Sequence, residues 1–208
     1  MTRFTRSITI AILCAVFAIS AAAQGQIASG EYGSLVLGVD LKGRLTGYFF
    51  EATGVEDNGK PRFTCSFLLQ GNRGGGDAYD VITWHPNSPA EVISGRLVPV
   101  GEGIELKLDE SHGGCGNVAP DLSSDDGQSF ELTKAGTWTA VAMVRAPKAF
   151  FHTEADARAR GKAFIVRGDM VVILRKAGGW ADIAFTNSTG RETRGWIKLD
   201  DLYPDEPF

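Results

Sequence analysis

Beyond residue 23, no apolar pattern at helical period persists for three turns in this chain. Short runs of Val, Ile, Phe, Tyr and Thr are instead broken every few residues by Gly, Asn and Asp. Runs of that kind, bounded by turn residues, read as strands joined by tight connections. The chain is therefore expected to be all-β.

The first 23 residues read differently. Arg3 and Arg6 precede an apolar stretch of about twelve residues, and Ala21, Ala22 and Ala23 follow it. Charge, apolar run and small residues in that order describe a secretory signal peptide. The run is short of the roughly 20 residues that span a bilayer. Cys14 lies inside it, but Leu13 stands where a lipoprotein signal places a small residue. Cleavage after Ala23 and a periplasmic or secreted chain without stable membrane insertion are expected.

Export would leave Cys65 and Cys115, which are expected to pair in an oxidising compartment. Such a bridge closes a loop of about fifty residues, worth roughly 4 kcal/mol on chain entropy. Residues 24–145 hold nine Lys and Arg against sixteen Asp and Glu, a net of −7. Phosphate binding needs clustered cations, so no nucleic-acid partner is expected.

Strands are expected over residues 33–40, 44–51, 62–70, 79–84, 91–97, 103–108, 130–133 and 137–145. In residues 62–70 Phe63, Cys65, Phe67 and Leu69 share one phase, so Phe63 and Phe67 are expected in the core, with Cys65 pointing inward beside them. Residues 111–126 read as a solvated polar loop. About eight strands with short turns make residues 24–145 a small up-and-down barrel or sandwich. Residues 43–54 (GRLTGYFFEATG) resemble a barrel hairpin of the avidin kind. That resemblance covers one strand pair and implies no ligand.

Residues 146–208 carry a fuller pattern. Phe164 and Arg167-Gly168-Asp169 precede a β-branched strand, and Gly178-Gly179-Trp180-Ala181-Asp182-Ile183 follows. Gly195-Trp196-Ile197-Lys198 and Leu199-Asp200-Asp201-Leu202 close the series. As a set these residues resemble bacterial SH3-like domains over about residues 144–203. The resemblance implies a small bent barrel, an extracytoplasmic setting and, in some members, binding of peptidoglycan or its stem peptides. In side-chain phase, Trp180 and Asp182 oppose Ala181 and Ile183, and Trp196 and Lys198 oppose Ile197 and Leu199. Trp180, Asp182, Trp196 and Lys198 are the candidate ligand-contacting residues.

No catalytic residues, metal ligands or cofactor are expected. Glu110, Ser111, His112 and Cys115 lie close in sequence. Adjacent Ser and His side chains diverge on an extended chain, however, and zinc needs more converging ligands. The sequence thus points to a non-enzymatic binding protein whose partner is peptidoglycan, a peptide or an envelope protein. An inhibitor or immunity-type protein directed at a cell-wall hydrolase is the alternative. A hydrolase with an unrecognised site is the third reading.

Overall fold

A computed structural model describes residues 25–203. The signal-peptide expectation for residues 1–23 lies outside them. The described chain is all-β, with fifteen strands in two sheets and four short 3-10 turns.

Strands β1 (Gly30–Tyr32), β2 (Leu35–Val39), β3 (Leu45–Val55), β4 (Pro61–Arg73), β5 (Tyr79–His85), β6 (Ser88–Val100) and β7 (Gly103–Leu108) form an antiparallel meander. Each pairs with its sequence neighbour, as short hairpin connections require. The next strand is broken in the middle. Its first part, β8 (Gln128–Phe130), pairs with β7, and its second part, β9 (Lys134–Ala135), pairs with β1. The break joins the two ends of the meander, and the sheet curls into a barrel.

The barrel interior is filled by one phase of each strand. Leu35, Leu37, Leu45, Phe49, Phe67, Leu69, Leu97 and Leu106 are almost fully buried. Phe49 stacks on Phe67 at 4.9 Å, and Phe130 meets Phe49 edge-on. Phe63 departs from its expected place in this core and is 37% exposed. The β3–β4 hairpin runs on past the packed body, so the alternation continues where nothing is left to cover it.

Residues 111–126 are not a solvated loop. Two 3-10 turns, Cys115–Asn117 and Pro120–Ser123, bring Cys115, Ala119 and Leu122 into the barrel core. Cys115 is bonded to Cys65 of β4, and both are buried. The polar residues that mark this segment as a loop face outward around three small apolar anchors.

The second sheet contains β10 (Ala140–Met143), β11 (Lys148–His152), β12 (Arg160–Val166), β13 (Met170–Ala177), β14 (Trp180–Thr186) and β15 (Glu192–Lys198). Its order is β10-β13-β14-β15-β11-β12. The core is small and mostly aliphatic, with Val144, Ala149, Ile165, Ile173, Ala181, Ile183 and Ile197 at its centre. Strand β10, in the stretch that the pattern puts at the end of the front series, is hydrogen-bonded to β13 of this sheet. β11 is unexpected, because Lys148, Ala149, Phe150, Phe151 and His152 do not alternate cleanly.

The two sheets meet along β10. All four of its residues are buried, and it lies against β2 and β3. The backbone N–H of Val141 donates to Thr46 Oγ1 at 2.8 Å, and Trp138 Nε1 donates to the Leu37 carbonyl at 2.7 Å. Gly38 permits this approach, since a Cβ there would come within 2.5 Å of the Ala140 backbone. Leu68, Trp84 and Met143 add an apolar patch to the junction.

Candidate functional site

The candidate residues Trp180, Asp182, Trp196 and Lys198 lie side by side on β14 and β15. These strands pair antiparallel, with Trp180 opposite Lys198 and Asp182 opposite Trp196. The register therefore sets each indole across from a charged side chain. The opposite phase, Ala181, Ile183 and Ile197, is completely buried. The inward residues fix the register, and the register assembles the outward group.

The two tryptophans are diagonal neighbours rather than a directly opposed pair. Both are half-buried, as is Asp182, while Lys198 is exposed. Each indole has a polar companion that the sequence pattern does not reveal. Arg175 Nε donates to Asp182 Oδ2 at 2.9 Å, and its guanidinium lies 4.8 Å from the centre of the Trp196 ring. His152 meets Trp180 edge-on at 4.6 Å.

Arg175 reaches this face because β13 carries one extra residue. Ile173 pairs with Ile183, but Arg175, not Leu174, pairs with Asp182. A bulge of this kind re-aims the side chains that follow it. Period-two alternation alone assigns Arg175 to the other phase, so the signal for it was absent. His152 comes from β11, opposite Trp196. Its Nδ1 donates to the Phe150 carbonyl at 2.9 Å, which holds the ring in place and leaves it 6% exposed.

The rim of the face carries mixed charge. Burial pushes the Asp201 carboxyl above its ordinary range; the neighbouring Asp200 charge adds to this, and Lys198, His152 and Arg145 oppose it. Two aromatic surfaces with an ammonium at the edge suit a ligand that offers an apolar or sugar face beside a carboxylate.

A separate set, Ser111, His112 and Cys115, is taken up by structure. His112 Nε2 lies 2.7 Å from Thr83 Oγ1, and that hydroxyl donates to the Ile93 carbonyl at 3.0 Å. The Thr83 oxygen therefore accepts from His112, whose Nε2 carries the proton. The imidazole also stacks on Phe67 at 4.8 Å. Burial, with a smaller contribution from the His85 charge, lowers the pKa of His112 to about 4. His112 is a neutral anchor for its loop. No cluster of three or more His, Cys, Asp or Glu suited to a metal ion occurs among the described residues.

Comparison with family models, with curated proteins and with solved structures gives no match for this chain.

Proposed function

We propose that this protein is an exported, non-enzymatic binding protein of the cell envelope, in which the second sheet is a bacterial SH3-like domain that contacts peptidoglycan or a peptide. The observation that carries this reading is the face formed by Trp180, Asp182, Trp196 and Lys198, where indoles and charges alternate across two paired strands. Rigid aromatics of this kind give large contact area at small entropic cost. The Cys65–Cys115 bond supports export, because such bonds persist in oxidising compartments. The assignment of His112 and Cys115 to structural contacts supports a binding role over a catalytic one.

Retention of the purified protein on peptidoglycan sacculi tests the proposal. Trp180→Ala combined with Trp196→Ala is expected to reduce retention at least about tenfold, the effect of losing two aromatic anchors. Unchanged retention in a variant that still melts cooperatively would sink the assigned surface.

The acidic balance of residues 24–145 favours a second reading, in which the first barrel caps a basic cell-wall hydrolase. Salt-sensitive inhibition of a lysozyme-like enzyme by the wild-type protein, undiminished in the double tryptophan variant, would select it.

A further inference from the structure

A groove of about 720 Å3 runs between the two sheets, at the far end of β14 from Trp180. One wall is the β1–β2 turn together with Val36 of β2 and Tyr48 and Phe50 of β3. The other is the turn before β13, with Met170, and the end of β14, with Phe185 and the turn that follows. Three rings therefore border one space. Tyr48 and Phe50 are two residues apart on the outer face of β3, with ring centres 6.4 Å apart and planes within 19° of parallel. Phe50 is 47% exposed, although the second sheet stands across the groove from it.

The polar part of the lining is uncharged but for one residue. Ser34, Thr186, Asn187 and Ser188 contribute three hydroxyls and an amide, and no cation is among the described residues that line the groove. The one carboxylate, Asp169, is turned to its own turn, where Oδ2 accepts from the Val166 N–H at 2.8 Å. Asn187 Oδ1 accepts from the N–H groups of Thr189 and Arg191 and from the Thr189 hydroxyl. The Asn187 amide nitrogen is the part of that side chain left to donate outward. The hydroxyls of Ser34, Thr186 and Ser188 bond no other described residue.

Both walls are held by the fold. The Phe50 N–H donates to the Ser34 carbonyl at 3.0 Å, which ties the β1–β2 turn to β3. On the other side the Gly168 N–H donates to the Val144 carbonyl and the Val144 N–H to the Asp169 carbonyl, each at 2.9 Å. Those bonds fasten the turn before β13 to the chain just after β10. β10 is itself bonded to β3 through Val141 and Thr46, so the width of the groove is fixed before any ligand arrives. A preformed site loses little ordering entropy on binding. The volume falls within the usual range for small-molecule sites.

We propose that this groove is a binding site for a neutral oligosaccharide, with sugar rings lying on Tyr48 and Phe50 and sugar hydroxyls meeting Ser34, Asn187 and Ser188. The apolar C–H face of a sugar suits an aromatic ring, and its hydroxyls suit partners that both donate and accept. An anion entering here would lose water without gaining an opposite charge. An acyl chain would cover the hydroxyls and the amide without bonding them. The site is separate from the face of Trp180 and Trp196 and does not rest on the reading of that face.

Calorimetric titration of the full chain with cellotriose and with triacetylchitotriose tests this. Saturable one-to-one binding of at least one trisaccharide, with a Kd below about 1 mM, is expected. Added salt should change that affinity by less than about twofold, since no charge on the ligand is read. Cellotriose alone identifies a plain sugar, triacetylchitotriose alone an N-acetylated one, and both together a site that reads the ring face. Phe50→Ala is expected to weaken binding at least about tenfold, and Phe50→Trp to retain it. Ser188→Arg fills the groove from the opposite wall at an exposed turn, and serves if Phe50→Ala impairs folding. Phe63→Ala, an exposed ring outside the groove, and Trp180→Ala with Trp196→Ala should each leave affinity within about twofold. Loss in the tryptophan variant with Phe50→Ala unchanged would place the sugar on the other face and overturn the proposal. Lack of saturable binding to either trisaccharide overturns it as well. So does binding of octanol or of tetra-alanine in place of both sugars, which would make the occupant an acyl chain or a peptide.

Discussion

The two sheets use most of their aromatic residues in opposite ways. In the first, Tyr32, Phe49, Phe67, Tyr79 and Phe130 point inward and make the core. In the second, Phe151 is the buried aromatic of a core otherwise built from Ala, Val, Ile and Leu, with Phe185 packed at its edge. Trp180, Trp196, Phe150 and Phe164 lie instead on the outer faces, each beside a cation or an imidazole. Arg160 sits 3.6 Å over Phe150, and Lys148 sits 4.4 Å over Phe164. The difference follows from size. A long meander encloses enough volume to need large rings, whereas a sheet of short strands is filled by aliphatic side chains. Rings left outside a small core are available for recognition, and rings used to fill a large one are not.

That contrast can be broken most severely at the disulfide. Replacing Cys65 and Cys115 by Ala is expected to destabilise the first barrel by about 4 kcal/mol, since the bond closes a fifty-residue loop. Urea unfolding followed separately by tyrosine and tryptophan emission would measure it. An equal loss on reduction of the wild-type protein is the matching result.

A smaller effect is expected from pH, and it again belongs to the first barrel. His112 has a folded pKa of about 4, below its ordinary 6.5. Between those values the unfolded chain takes up a proton that the native state refuses. The contribution is complete above about pH 6.5 and is lost as pH falls toward 4. It amounts to at most about 3 kcal/mol. In His112→Phe the wild-type-minus-variant stability difference should shrink steadily from pH 7 to pH 4.5. A difference independent of pH would show that the imidazole titrates normally.

The smallest effect concerns the second sheet. Arg175→Ala removes an exposed ion pair and a cation–π contact, with an expected cost below about 1 kcal/mol. Tryptophan emission and its quenching by iodide should nevertheless change, because the Arg175 guanidinium lies close to the Trp196 ring. A large stability loss with unchanged emission would reverse the contrast between the two sheets.

Much of this was legible in the sequence, for identifiable reasons. Strands with clean alternation, such as Ile104, Leu106 and Leu108 in β7, fall where period two puts them. Cys65 and Cys115 are the two cysteines of residues 24–208, and they are bonded as that count suggests. The outward group Trp180, Asp182, Trp196 and Lys198 follows from phase within two regular strands. Illegible features depend on contacts between distant segments. Phe63 has the alternation of a core residue but lies beyond the end of the core. The loop at 111–126 hides its anchors because Cys115, Ala119 and Leu122, although spaced i, i+4 and i+7, stand in two separate short turns among Gly, Pro and polar residues, too brief a run to read as a helix. Arg175 joins the candidate face only through a bulge, and His152 only through a strand with mixed pattern.

β10 has a consequence for how the molecule meets anything larger than itself. The segment that joins the two sheets is not a tether. Trp138 is bonded to Leu37, Val141 to Thr46, and the Ala140 backbone rests on Gly38. For a bivalent ligand, effective concentration is set by the freedom of the connection between two binding surfaces. With a connection clamped at three points, that freedom is close to zero. A ligand whose spacing fits both sheets engages the second at little further entropic cost, and one whose spacing is wrong gains nothing from adjustment. The pair of sheets acts as a gauge of fixed length.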